Sequence, residues 1–326
     1  MKPLPHALAA TPSLDRWIRL TGEGGVIAFT GKVEIGQGIL TALGTIVAEE
    51  LDVARRRVQV VSAHTGHTPN EGVTAGSMSI ETSGAALRQA GAWARRLLLQ
   101  RAAARLALAA DNLTVADGEI RGEGVNEPLT YWDLADQPFD FEIRYRTPEK
   151  APSAYRLVGR DGQPRIDILE KATGAAFVHD ADAELHARVV RPPSLRHRLT
   201  DLDVDVAAPG RLVVDGSFVA VAHPVEFDAE RLARRIAGRA RWHRIGSPPP
   251  GFDIDESRRE TAEAFPLRNV VPSPVPRRRI ATTHRAAYSR PFLMHASLAP
   301  SAAVAVWHDG ALAIECSSQG IEPLRH

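Results

Sequence analysis

Hydrophobic and polar positions change period several times along the chain, and each change marks an element. Trp17, Ile18 and Leu20 suggest a short strand, and the Thr21–Gly25 stretch, TGEGG, is a turn by composition, which together predict a hairpin into the next strand. Val26, Ala28, Val33 and Ile35 read as extended chain; beyond Gly36-Gln37-Gly38 the apolar positions Ile39, Leu43, Ile46, Val47 and Leu51 recur at the spacing of one helical face. Arg55 to Ser62 predicts a strand with a solvated start. A second helix is expected from Ser83 to about Ala110, with Leu87, Ala90, Ala94, Leu97 and Leu98 as its buried stripe. Residues 111–124 alternate around Asp117-Gly118, the signal of a strand, tight turn and strand.

The second half is patterned differently. Prolines in Thr147–Tyr155, TPEKAPSAY, mark a boundary near residue 150. Ala175–Val178 and Leu185–Val190 predict short strands around an acidic turn, Phe218–Ala222 a buried strand, and 228–240 a helix. Residues 246–276 are rich in proline and charge and read as a surface linker. Ala302–Trp307 and Ala311–Cys316 predict a strand pair turning at Asp309-Gly310, followed by the Ser318-Gln319-Gly320 turn.

Composition narrows the function classes. Forty basic residues against thirty-nine acidic leave a net charge of +1, so no global field favours nucleic acid or an anionic membrane. Arg55, Arg56 and Arg57 lack interleaved aromatic residues and read as an exposed helix end. The single cysteine, Cys316, excludes an intrachain disulfide and an iron–sulfur cluster held by this chain, which needs about four thiolates. No apolar run approaches the roughly 20 residues of a membrane helix, and the first residues lack a secretory pattern. The expected location is the cytoplasm, or outside it as a folded complex exported with a partner.

Two stretches could carry chemistry. At Gly36-Gln37-Gly38 the chain turns from strand to helix, where glycines admit close approach and a helix N-terminus presents N–H groups to an anion. Spacing alone also allows an ordinary tight turn. Thr74-Ala75-Gly76-Ser77-Met78-Ser79 gathers small residues and hydroxyls before a helix, so that N–H groups and hydroxyls can converge on a polar ring or phosphate, or simply cap the helix. A dinucleotide site would call for a third glycine and an acidic residue about 20 positions on, and neither fits here. His64, His67 and Glu71, and His179, Asp180, Asp182 and His186, are groupings better explained as solvated loops than as metal sites. His295 could serve as a ligand or an acid-base group, though a satisfied, partly buried histidine is the commoner state.

The wording of these stretches resembles a known family. Residues 31–53, GKVEIGQGILTALGTIVAEELDV, and 68–90, TPNEGVTAGSMSIETSGAALRQA, are similar to the cofactor segments of the large subunits of molybdenum hydroxylases, the xanthine dehydrogenase and aldehyde oxidase family. Their position in the chain resembles the branch that holds isoquinoline oxidoreductase and the molybdopterin-binding component of nicotinate dehydrogenase. Residues from Tyr155 to Ser194 resemble the opening of an alpha/beta hammerhead domain. Residues 288–320 resemble the start of another cofactor-binding domain, with Ala299 where many relatives carry glutamate.

The resemblance implies an α+β chain: a molybdopterin-binding portion over 1–150, a hammerhead-like domain over 151–245, a linker over 246–276 and the truncated start of the other molybdopterin-binding domain over 277–326. It implies Gly36, Gln37, Gly38, Thr74, Ala75, Gly76, Ser77 and Ser79 as cofactor contacts, with Gln37 donating its amide and Ser77 and Ser79 their hydroxyls. The cofactor would be molybdenum–molybdopterin, plain or as the cytosine dinucleotide. The implied reaction hydroxylates an aldehyde or N-heteroaromatic carbon with oxygen from water. Electrons would leave through [2Fe-2S] clusters on a small subunit to a cytochrome or flavin acceptor. No catalytic residue or metal ligand is assigned within this chain; the family's general-base glutamate lies in a C-terminal part not present here. The expectation is therefore a fragment or split half, unstable and inactive without a chain carrying that part. A non-catalytic cofactor-holding or assembly partner is the alternative.

Overall fold

A computed structural model describes residues 3–125, 127, 129–160, 164–174, 182–246, 282, 284–286, 297 and 301–325. The predicted strand 175–178, the linker beyond residue 246, His179, Asp180 and His295 lie outside the described residues. The chain divides into two compact units, one formed by residues 1–179 with 301–326, the other by 180–300.

In the first unit, strands β1 (Ile18–Leu20), β2 (Val26–Thr30) and β3 (Val58–Ser62) form a sheet in that order. The pair β1–β2 is the predicted hairpin, with Ile18 opposite Ala28, and β2–β3 is parallel, with Val26 opposite Val58. A parallel neighbour requires a crossover. Helix α2 (Ile39–Leu51), which follows the short helix α1 (His6–Ala10), supplies it. Its apolar face (Ile39, Leu43, Ile46, Val47, Leu51) is buried against β2, β3 and helix α3 (Ala85–Leu106). Gly91 permits that approach, because a Cβ there would meet Glu50 Cβ at 2.9 Å.

Two expectations shift. The second helix begins earlier, with a wide π turn over Ile80–Gly84, and it ends earlier, where Ala107 takes φ 54°. The arginines are not merely an exposed helix end. Arg55 Nη1 donates to the Val58 carbonyl at 2.6 Å, and Arg57 lies over the Trp132 ring and donates to Asp117. Arg56 alone among the three is largely exposed.

Strands β4 (Thr114–Ala116) and β5 (Glu119–Arg121) form the predicted hairpin, with Asp117 and Gly118 in the left-handed region that such a two-residue turn requires. A short β6 (Leu129–Thr130) extends it. The segment after β6 crosses back over α2 and α3. Buried Gln89 receives the Thr147 N–H and donates to the Thr147 carbonyl, a side chain imitating a strand neighbour.

In the second unit, β7 (His186–Val190), β10 (Phe218–His223) and β9 (Arg211–Asp215) form an antiparallel sheet in that order, and β8 (His197–Asp201) pairs with β11 (Arg241–Arg244). Helix α5 (Glu226–Ala237), which follows the short α4 (Ile168–Thr173) of the first unit, packs on β7 and β10, and Ile236 joins Val190, Val219 and Val221 in a small core. The observed β10 and α5 match the predicted strand and helix within a few residues, whereas β8, β9 and β11 have no counterpart among the expectations. The tail forms the predicted strand pair as β12 (Ala303–His308) and β13 (Ala311–Cys316), with Val306 opposite Ala313.

Candidate cofactor site

The first loop is closed from within. Gly36 and Gly38 adopt φ of 100° and 76°, a region L side chains rarely enter. Glu34 reaches forward over the start of α2. Its Oε1 accepts the N–H of Gly36 at 2.9 Å and of Gly38 at 2.8 Å. The helix N-terminus therefore differs from the expectation of a free anion seat: a carboxylate of this chain already occupies it, as the positive end of a helix favours. Gln37 also differs. Its Oε1 accepts the Ile35 N–H at 2.6 Å and its Nε2 donates to the Val33 carbonyl at 3.0 Å, so the amide braces the turn.

Arg165 lies across this turn. Its Nη1 donates to the Gly36 carbonyl at 2.6 Å, while Nε and Nη2 form a fork on Asp167. Arg165 and then Lys171, by their hydrogen bonds, hold the Asp167 carboxyl below its usual range. The Ile166 N–H donates to Thr41 Oγ1 at 3.2 Å, fastening the same segment to α2.

Part of the second loop keeps its N–H donors free among the described residues. Thr74 is buried, and its Oγ1 accepts the Val33 N–H at 3.0 Å, joining the second loop to the first. Beyond it, the N–H groups of Ala75, Gly76 and Ser77 make no hydrogen bond among the described residues. Gly76 takes φ 69° and Ser77 takes φ 56°. A left-handed non-glycine residue costs about 1 kcal/mol and recurs where backbone is shaped for a ligand. Ser77 is exposed and Ser79 is buried, and around them Val73, Met78 and Ile80 expose apolar surface.

The tail completes this loop. The Thr74 N–H donates to the Gln319 carbonyl at 2.7 Å, and Gln319 Nε2 returns a bond to the Thr74 carbonyl at 3.0 Å. Gly320 eases this approach, since a Cβ there would stand 3.1 Å from Val73 Cγ2 and push it back slightly. Thus the structure brings together Gly36–Gly38, Thr74–Ser79 and the Ser318-Gln319-Gly320 turn. Of the other sequence candidates, His64 and His67 lie against each other with ring centroids 4.4 Å apart and planes tilted by 51°, and Glu71 turns to Thr30, Gly31 and Ser83. Glu34 and Arg165 were not among the candidates. An acid two residues before a Gly-x-Gly turn is a readable signal for the first, while nothing local marks the second.

A strand–turn–helix unit with mixed helix and sheet places the chain in the α+β class, and backbone donors without partners among the described residues, beside serine hydroxyls, make this loop a candidate ligand site. Known proteins identify it further. Residues 5–167, half of the chain, match the molybdopterin cofactor-binding domain family. The chain is 34% identical to the B component of nicotinate dehydrogenase from Pseudomonas putida over 98% of its length, and 32% identical to the beta chain of isoquinoline 1-oxidoreductase from Brevundimonas diminuta over 53%. A crystal structure of Cu,Mo-CO dehydrogenase aligns over 36% of this chain and 15% of that one, at 29% identity and a TM-score of 0.33. The chain belongs to the molybdopterin-binding large subunits of the molybdenum hydroxylase family. It spans 29% and 27% of the length of the two curated relatives.

Proposed function

We propose that this chain holds part of a molybdenum–molybdopterin cofactor in an oxidoreductase that hydroxylates an aldehyde or N-heteroaromatic carbon. The observation that carries this reading is the second loop: three adjacent N–H groups without partners among the described residues, beside serine hydroxyls and an apolar rim, fit a flat polar ring system. When bound, the cofactor supplies a nucleophile derived from water at neutral pH and a sink for two electrons. The N–H groups of Ala75, Gly76 and Ser77 donate to its acceptor atoms, and the Ser77 and Ser79 hydroxyls add donors. The Gly36-Gln37-Gly38 turn contributes steric room, since a Cβ on Gly36 would meet nothing within 4 Å, while its N–H groups at Gly36 and Gly38 stay bonded to Glu34. Glu34 and Gln37 keep that turn rigid and do not themselves reach outward.

In this reading the hammerhead-like domain runs over residues 151–245 and the tail from residue 277 opens a second cofactor-binding domain. A small [2Fe-2S] protein takes the electrons, passing them to a cytochrome or flavin acceptor, and further large-subunit sequence carries the general base. The chain alone is then inactive, and the cytosine-dinucleotide form and a cytoplasmic location are parts of the same proposal. The test is molybdenum and pterin analysis of the complex purified from its native host. Stoichiometric molybdenum, sharply reduced by Gly76→Val while the associated chains are retained, is the expected result. A complete complex that contains neither molybdenum nor pterin would overturn the reading.

A further inference from the structure

The Gly36-Gln37-Gly38 turn is stiffened locally but tied down remotely. The bonds that Glu34 makes to the Gly36 and Gly38 N–H groups, and Gln37 to Ile35 and Val33, span only two to four residues. They move with the turn and fasten it to nothing else. With glycines at 36 and 38, a stiff turn can still pivot as a unit. Among the described residues, the one hydrogen bond that reaches its tip from outside the turn and its helix comes from Arg165, 129 positions away from Gly36.

Arg165 meets the turn at three points. Nη1 donates to the Gly36 carbonyl at 2.6 Å, Nη2 lies 3.5 Å from Glu34 Oε1, and Cδ would stand 3.4 Å from a Cβ on Gly38. A long side chain loses rotamer freedom when it is ordered in this way. Here the guanidinium is held beforehand. Nε and Nη2 donate to the two carboxylate oxygens of Asp167 at 2.9 and 2.6 Å, Lys171 Nζ donates to the same carboxylate at 2.6 Å, and the adjoining Ile166 N–H is fixed on Thr41 Oγ1. The fork sets the plane of the guanidinium and leaves Nη1 for Gly36, which a lysine ammonium could not reproduce. The Arg165 side chain is 29% exposed, with Glu34 at 12% and Asp167 at 20%, so solvent screens these charges only in part.

We infer that Arg165 is a positioning residue for the first cofactor loop: it holds the Gly36 carbonyl and so fixes where the turn stands at the start of α2. Its action passes through Gly36. The inference rests on the cofactor reading. Without this tie the turn divides among several positions, and the apparent affinity for the cofactor falls with the fraction that remains competent.

Amide hydrogen exchange of the full chain, together with molybdenum retention in the complex from its native host, tests it. Arg165→Ala should speed exchange at the Gly36 and Gly38 amides at least about 10-fold, as expected for losing a hydrogen bond from a charged group, with no change at the Thr74 amide or in β10. Arg165→Lys keeps the charge but loses the fork, and should stay closer to the alanine variant than to the wild type. In the complex, Arg165→Ala should release molybdenum at least about 10-fold faster on dilution than the wild type does. Unchanged exchange in Arg165→Ala, faster exchange spread over both units, wild-type behaviour of Arg165→Lys, or wild-type molybdenum retention by Arg165→Ala would each overturn the inference. A wild-type complex that itself lacks molybdenum would overturn the cofactor reading and this inference with it, a failure told apart because it does not depend on the variant.

Discussion

Tyr131 is among the largest fully buried side chains, and its hydroxyl has no partner among the described residues. Burial pushes its phenol well above the ordinary value. A buried hydroxyl that bonds to nothing gives the fold less than the same volume of hydrocarbon. Tyr131→Phe should therefore raise stability by about 1 kcal/mol, read as a higher urea midpoint with an unchanged slope. A loss of stability would mean that the hydroxyl has a partner, such as an ordered water. Single residues also set the limits of sequence reading at the site. Gly36 and Gly38 are legible because a strand-to-helix turn needs φ values only glycine adopts freely. Ser77 is not: its left-handed backbone is imposed by the loop around it and has no signature in its own side chain.

The elements were more legible than the contacts that hold them. Helix α2 follows from its apolar spacing, yet the same spacing says nothing of Glu49 and Glu50, which are buried on it. Glu49 Oε2 accepts three successive N–H groups, from Arg156, Leu157 and Val158 at 2.9, 2.6 and 3.0 Å, and Oε1 pairs with Lys150 at 2.7 Å. These partners lie about 100 residues further along the chain, beyond the reach of any local pattern. The carboxylate thereby fastens the segment that leads to Arg165 and the first loop.

The pH response follows from opposing environments. Burial alone would raise the Glu49 carboxyl, but Lys150 and the three N–H groups together leave it lowered from 4.5. Its contribution is therefore full above about pH 4.5 and is lost as pH falls through the lower folded value. Glu50 is raised, chiefly by burial, so its contribution falls as pH rises from 4.5 through the folded value. Glu49→Gln should cost about 3 kcal/mol at pH 7 and flatten the acid limb of a stability-versus-pH curve. Glu50→Gln should steepen that limb. Denaturation midpoints between pH 3 and 7 check both, and parallel acid limbs for all three proteins would refute the assignment.

At the scale of the molecule, the first unit is assembled from both ends of the described chain. Its nearest-neighbour pattern, hairpin, crossover and long helix, could be read in order from the sequence. The docking of residues 301–325 onto it could not, because periodicity carries no information about partners more than two hundred positions away. Gln319 Nε2 on the Thr74 carbonyl is the side-chain part of that docking. Gln319→Ala should lower stability by about 1 kcal/mol and accelerate hydrogen exchange at the Thr74 amide, with little change at β10 in the second unit. Uniform acceleration across both units would instead indicate a single cooperative fold.

The Thr74–Gln319 pairing also orders events on the ribosome. Residues 3–174 can emerge and begin to pack while synthesis continues, and the sheet of the second unit can form next. The Val33 N–H can hold the second loop by Thr74 Oγ1 early, but the loop gains its bonds to Gln319 only once residue 320 has cleared the exit tunnel, so it is finished after the core that carries it. At about 5–20 residues per second, the delay between Thr74 and Gln319 amounts to roughly 10–50 seconds. During that interval a chaperone or a companion chain has access to the Thr74 backbone groups that Gln319 later takes up.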